Sequence, residues 1–367
     1  DPDFDRRMMA AALRIGRRNM GQTHPNPAVG CIVVTSAAKG QTVIGRGATA
    51  AGGRPHAERI ALAEAGKAAR GATVYVTLEP CAHDRPDGSC TEALIKAGVG
   101  RVVTALADPD PRTNGQGHAA LEAAGIVVTT GVLAQEAARV HGGHIARLSR
   151  GRPYITLKLA VSADGMIGRR EGERMMITGR AAFDAVQMMR TESDVVMVGI
   201  GTVLVDDPRL TVRLPGLAHL SPASVILDAG ARLPPDGRLL QSVGDAPLFV
   251  FVGPEAPSDS MAAIAAAGAT VVPAGLGGEE LDLAEMLRDL SARGYTRVLC
   301  EGGARVASSL LANELLDEIV ILRAPVGVGA GGVQALGGRA LSASERSPRY
   351  RQVETEVLGP DTRRRYL

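Results

Sequence analysis

The chain is predicted to fold as two α/β domains, residues 1–148 and 149–367. Three observations carry this. Its 367 residues exceed one ordinary domain of roughly 150. Segments of strand and helix character alternate through both halves, the pattern of a largely parallel sheet covered by helices. A charged stretch with Gly and Pro, Ser149-Arg150-Gly151-Arg152-Pro153, separates them as a linker would.

In the first half, apolar residues at helical spacing mark Asp5 to Met20, and the apolar run Val29 to Val34 marks a strand. His56 to Ala69 is Ala-rich and helical. There follow a strand at Thr73 to Leu78, a helix at Thr91 to Ala97, a strand at Arg101 to Ala107, a helix at Gly117 to Ala124, a strand at Gly125 to Thr129 and a helix from Leu133 to Leu148. The second half opens with a strand at Tyr154 to Val161 and a helix near Ala181 to Met189. Strands then fall at Asp194 to Gly199, Ser224 to Asp228, Leu248 to Val252, Thr270 to Val272, Arg297 to Cys300 and Glu318 to Leu322, with a last strand pair near the C-terminus. The two halves show no internal repeat.

Composition narrows the function. With 45% apolar and 22% charged residues the chain is globular rather than disordered. A net charge of +2, with basic residues spread out and aromatics at 2%, argues against a nucleic-acid partner, while a few Arg suffice for a small phosphorylated substrate. Four Cys make no disulfide framework, and Cys31 and Cys300 lie in apolar runs that read as core. No stretch reaches 18 apolar residues and the start is no signal peptide, so the expected location is the cytoplasm, away from membranes.

His56-Ala57-Glu58 stands at a helix start, Pro80-Cys81 directly after a strand, and Cys90 at the start of the next helix. One imidazole and two thiolates suit Zn²⁺, whose catalytic sites use three protein ligands and leave a fourth position to water. Glu58, beside the metal without being needed as a ligand, is placed to move protons while the zinc acidifies that water. H-x-E with P-C and a further Cys is the zinc-deaminase pattern. The departure is the eight-residue gap between Cys81 and Cys90, whose loop is a candidate for reading the substrate.

That long gap, with Thr23-His24-Pro25-Asn26-Pro27-Ala28-Val29-Gly30, Thr77-Leu78-Glu79-Pro80-Cys81-Ala82-His83 and Asp108-Pro109-Asp110-Pro111, resembles the bifunctional deaminase-reductase family of riboflavin biosynthesis. Beyond the linker, Leu157-Lys158-Leu159-Ala160, Gly201-Thr202-Val203-Leu204, Asp206-Asp207-Pro208 and Glu301-Gly302-Gly303 extend the resemblance over essentially the whole chain.

The resemblance implies a cytidine-deaminase-like α/β/α domain followed by a dihydrofolate-reductase-like α/β domain. It implies zinc-dependent deamination of a diaminopyrimidinone carrying a ribosylamino 5-phosphate, then reduction of the ribosyl side chain by NADPH, in a homo-oligomer. It puts Asn26 against the pyrimidine. NADPH is expected at Ala160, Ser162, Met176, Thr202, Asp206 and the run Gly303, Ala304, Arg305, Val306, Ala307, Ser308 and Ser309. The phosphoribosyl substrate is expected at Arg174, Arg190, Leu210, Arg213 and Glu301, with Lys158 or Asp206 transferring a proton at the ribose. The chain departs from the family pattern at Arg85, displaced by one position in the Cys–Cys loop, and at Arg174 and Met176, which replace a small hydroxyl residue and an aromatic ring.

Two rival readings have discriminating features. An RNA-editing deaminase shares the H-x-E logic but calls for basic and aromatic surface. A structural zinc module needs a fourth protein ligand, for which His83 is the nearby candidate.

Overall fold

The structure is a computed structural model that describes residues 1–36, 40–83, 88–169, 175–338, 341–345 and 347–367. It divides into two compact units, Asp1–Gly151 and Arg152–Leu367.

The first unit runs α1 (Pro2–Arg17), β1 (Gly30–Val34), β2 (Val43–Ala48), α2 (Ala57–Ala65), β3 (Thr73–Val76), α3 (Cys90–Ala97), β4 (Arg101–Thr104), α4 (Gln116–Ala123), β5 (Val127–Thr129), α5 (Ala134–Val140) and α6 (Gly142–Arg150). The sheet order is β2-β1-β3-β4-β5. Side chains alternate across β1: Cys31 and Val33 enter a core with α2, α3 and α4 residues, while Ile32 and Val34 face Met9, Ala12 and Leu13 of α1. An α/β/α sandwich results.

Three details of this half differ from the sequence expectation. The sheet is mixed, because β1 runs antiparallel to both β2 and β3, and only β3, β4 and β5 are parallel. Strand β2 went unpredicted: its Val-Ile-Gly-Arg-Gly-Ala sequence has two glycines, which α2 needs because a Cβ at Gly45 or Gly47 would collide with helix carbonyls. The helix expected over Leu133 to Leu148 is two, broken at His141 ahead of Gly142-Gly143.

The second unit runs β6 (Tyr154–Val161), β7 (Met166–Arg169), α7 (Arg180–Thr191), β8 (Val195–Gly199), α8 (Ile200–Asp206), β9 (Ala223–Leu227), α9 (Arg238–Gln241), β10 (Leu248–Val252), α10 (Ser258–Ala266), β11 (Thr270–Pro273), β12 (Leu276–Gly277), β13 (Glu280–Leu281), α11 (Leu283–Ala292), β14 (Arg297–Gly302), α12 (Ala304–Ala312), β15 (Glu318–Arg323), β16 (Gly332–Gln334), α13 (Leu341–Glu345), β17 (Gln352–Leu358) and β18 (Asp361–Tyr366). Its nine-stranded sheet has the order β11-β10-β9-β8-β14-β6-β15-β18-β17, parallel except at the C-terminal hairpin β17-β18. Val195 and Met197 feed one core, with α11 and α12, and Val196 and Val198 the other. Both faces of the sheet are therefore covered, which is why its central strands are unbroken apolar runs. Among the described residues no helix is long and apolar enough to cross a membrane.

Candidate functional site

In the first unit the N-termini of two helices and the carboxyl end of one strand converge. His56 is the extended residue capping α2, so its ring leaves the helix end while Glu58, two residues on, is buried within the first turn. Cys90 opens α3, fixed by a reciprocal capping box between Ser89 and Glu92. Cys81 follows β3, and its carbonyl and that of Pro80 each accept the Thr91 hydroxyl at 3.1 Å. From α2, Arg59 Nη2 donates to Gly88 O at 2.6 Å, tying that helix to the approach to Cys90.

His56 Nδ1 then lies 3.8 Å from Cys81 Sγ and 3.4 Å from Cys90 Sγ, and the three donor atoms are all within 4.8 Å of one another. Tetrahedral zinc with S and N bonds of about 2.0–2.3 Å has edges of roughly 3.5–3.8 Å, so the trio fits that ion. The Cys90 N–H donates to Cys81 Sγ at 3.3 Å, and hydrogen bonding from Cys90 lowers the Cys81 thiol, while Cys81 beside it and burial push Cys90 up. A divalent cation favours thiolate at both. Burial raises the Glu58 carboxyl against the opposing pull of His56, and its Oε2 is buried with no hydrogen-bond partner among the described residues. A buried carboxylate oxygen left without a partner beside the donor set is what a proton-shuttling group needs.

No fourth protein ligand joins the trio among the described residues. His83 instead approaches Thr113, Nδ1 to Oγ1 at 3.4 Å. Asn26 donates from Nδ2 to Gly53 O at 3.2 Å, and Gly53, at φ +83°, has no room for a Cβ beside that amide. Arg85 and its neighbours 84–87 lie outside the described residues.

Glu79 has a role that no sequence signal reveals. Its buried carboxylate accepts the backbone N–H groups of Asp108, Gly115, Gly117 and His118 at 2.9–3.2 Å, pinning the segment after β4 beside Pro80-Cys81. Two histidines at the α5–α6 junction complete the support. His144 Nε2 lies 2.9 Å from Asp108 Oδ1, and His141 Nε2 3.0 Å from Thr77 Oγ1.

In the second unit a cavity of about 720 Å³ opens at the carboxyl ends of the parallel strands, where ligands bind in such sheets. Lys158, Arg190, Leu210, Arg213 and Glu301 line one part of it. Arg190 grips Glu301 with both ends of its fork and donates from Nη1 to Thr211 O at 2.8 Å, and Lys158 Nζ stands 3.4 Å from the same carboxylate. Burial alone would raise Glu301, but Arg190 and Lys158 outweigh it and hold the carboxyl at about 2. Arg213 lies over the Phe183 ring, 4.9 Å from its centroid, and its backbone N–H donates to Gln187, two contacts with no sequence signal.

Ala160, Met176, Thr202, Asp206, Gly303, Ala304, Arg305, Val306 and Ser309 line the rest of the same cavity. Gly303, at φ +81°, caps α12, and a Cβ there would sit 3.3 Å from Thr202 Oγ1. This bare backbone at a helix N-terminus fits the diphosphate of a nicotinamide dinucleotide. Three of the expected residues are not brought into the cavity. Ser162 is buried with its hydroxyl spent on Asp164 and Met166, Ala307 is packed in the core, and Ser308 donates to Leu336 O. Arg174 lies outside the described residues.

Residues 2–106 match the cytidine and deoxycytidylate deaminase zinc-binding region, and residues 153–363 the RibD C-terminal domain. Riboflavin biosynthesis protein RibD of Escherichia coli (strain K12) is 35% identical over 370 residues, covering 97% of this chain and 97% of that protein. The protein of the same name from Aquifex aeolicus is 34% identical over 359 residues, covering 98% and 97%. Among solved structures, Acinetobacter baumannii RibD is similar with a TM-score of 0.86 at 35% identity, covering 100% of this chain and 99% of that one. A deaminase/reductase from Thermotoga maritima gives 0.84 at 30%, with coverage of 100% and 99%. The chain belongs to the RibD family, bifunctional enzymes of riboflavin biosynthesis that join a zinc-binding deaminase to an NADPH-dependent reductase.

Proposed function

We propose that the two sites act in succession on one phosphoribosyl pyrimidine. The first hydrolyses 2,5-diamino-6-ribosylamino-4(3H)-pyrimidinone 5′-phosphate to the uracil with release of ammonia. The second reduces the ribosyl side chain to give 5-amino-6-ribitylamino-uracil 5′-phosphate. The Thermotoga maritima protein is described as a diaminohydroxyphosphoribosylaminopyrimidine deaminase and 5-amino-6-(5-phosphoribosylamino)uracil reductase, and the likeness over the whole chain supports carrying both reactions here. The single observation that supports the first step is the His56, Cys81 and Cys90 trio beside the buried Glu58.

His56, Cys81 and Cys90 would hold zinc, which when bound supplies an acidified water at the open position. Glu58 accepts a proton from the attacking water and passes it to the ring nitrogen, then takes the proton of the newly added hydroxyl and delivers it to the departing amine. Asn26 holds the pyrimidine. In the second site NADPH, when bound, supplies the hydride. Glu301, kept ionised by Arg190 and Lys158, accepts from substrate hydroxyls, while Arg213 and Leu210 hold the phosphoribosyl group. Lys158 or Asp206 moves the proton that opens the ribose ring; unchanged turnover in Asp206→Asn would remove Asp206.

On this reading the partner is a small phosphorylated molecule rather than a nucleic acid, which the near-neutral charge and 2% aromatic content support. The enzyme is then cytoplasmic and works as an assembly of copies of this chain. Supplying the diamino substrate with and without NADPH, and following ammonia and nicotinamide absorbance, tests both halves. Ammonia without NADPH consumption would refute the second reaction, and no ammonia at all the first.

A further inference from the structure

The reductase cavity crosses four neighbouring strands. Lys158 stands on β6, Glu301 on β14, Thr202 just past β8 and Ala229 just past β9, and the sheet order places these strands side by side. Adjacent strands are about 4.8 Å apart, so three spacings span about 14 Å, room for an extended dinucleotide. With the reacting ring against the Lys158, Arg190 and Glu301 cluster, and the diphosphate at Gly303, the adenosine reaches β9.

Many dinucleotide folds carry an acidic residue at the strand end under the adenosine ribose, where it accepts from the 2′-hydroxyl. A carboxylate there also repels a 2′-phosphate. This chain has an acid at that place, Asp228, but turns it inward. Asp228 is 0% exposed, its Oδ2 accepts the Leu233 N–H at 2.8 Å, and its Oδ1 faces Arg232 Nε at 3.7 Å, beyond hydrogen-bond length. Burial pushes its carboxyl up, against the opposing pull of the Leu233 and Arg232 contacts. Arg232 is the opposite case: it lines the cavity with its side chain 59% exposed. Two other guanidiniums of this rim are closer to their carboxylates, Arg238 Nε at 3.3 Å from Asp207 and Arg305 Nη2 at 3.1 Å from Glu280.

We propose that Arg232, oriented by the buried Asp228, binds the 2′-phosphate of the dinucleotide and so sets the preference for NADPH over NADH. A guanidinium fork matches a phosphate monoester, and Arg232 lines the cavity with most of its side chain exposed. The inference rests on the reading of the second half as an NADPH reductase.

Direct titration of the full chain with NADPH and with NADH, read by nicotinamide fluorescence, tests it, with 2′-phosphoadenosine 5′-phosphate and 5′-AMP as competitors. Arg232→Gln should weaken NADPH and the 2′-phosphorylated competitor about ten- to hundredfold, as the loss of charged hydrogen bonds implies, and leave NADH and 5′-AMP unchanged. Arg232→Lys, keeping the charge without the fork, should fall between. Equal losses for both cofactors, or unchanged NADPH binding, would overturn the assignment. A wild-type chain that binds neither cofactor would refute the NADPH-reductase reading instead.

Discussion

The Glu301 carboxylate receives the Arg190 guanidinium on both oxygens, Nε to Oε1 at 2.5 Å and Nη2 to Oε2 at 3.1 Å. Its carboxyl is held at about 2, below the ordinary 4.5, so the stabilisation is fully present above 4.5 and is lost as pH falls from there toward 2. Glu301→Gln should therefore be less stable than wild type near neutral pH, with the gap narrowing in acid. Urea midpoints measured across that range check it; a gap independent of pH would show that the charge is not its source.

Glu58→Gln should keep its zinc, because the ligand trio is untouched, and lose ammonia release by about a hundred- to ten-thousandfold, the usual worth of a proton-transfer group. Metal analysis and an ammonia assay on the same sample decide this. NADPH oxidation with the deaminated substrate should be unaffected, since the reductase cavity belongs to the other unit.

Cys90→Ser exchanges a thiolate ligand for a hydroxyl that does not ionise near neutral pH. Zinc should leave the variant to a chelator that does not strip the wild type, and ammonia release should fall with metal content. Retention of full zinc under the same chelator would exclude Cys90 as a ligand.

Gly30→Ala should destabilise the first unit. A Cβ on Gly30, in β1, would collide with the Ala12 carbonyl of α1, and a close-packed contact of this kind costs about 1–3 kcal/mol or more. Residual ammonia release after heating should disappear several degrees earlier than in wild type. Identical inactivation curves would mean that α1 shifts to make room.

The zinc trio and Glu58 were legible because each sits in a short motif at an element end, where sequence spacing and spatial placement nearly coincide. Lys158, Arg190 and Glu301 were not: Arg190 and Glu301 are 111 positions apart and meet where the end of α7 reaches the carboxylate of β14, whose paired neighbour β6 carries Lys158. Family resemblance pointed to these three, and periodicity did not. Of the other residues the resemblance expects at the cofactor, Ser162 and Ala307 are buried and Ser308 donates its hydroxyl to Leu336 O, although all three share a motif with cavity residues. The antiparallel placement of β1 was invisible because the strand pattern of an apolar run is the same in either direction. Glycines needed by the neighbouring α2 masked β2.

Glu79 holds its loop through four main-chain N–H groups, at Asp108, Gly115, Gly117 and His118, with the His118 ring 3.8 Å from the same carboxylate. Main-chain donors are common to every residue except proline, so the exposed side chain at 116 has latitude to drift while the loop keeps its shape. Its neighbours are constrained: Gly115 stands at φ +79°, a Cβ on Gly117 would strike the Pro80 carbonyl, and the His118 ring lies 3.0 Å from Thr104 Oγ1. Over evolutionary time such a loop can drift at its solvent-facing position while the glycines and the histidine beside the metal site stay put.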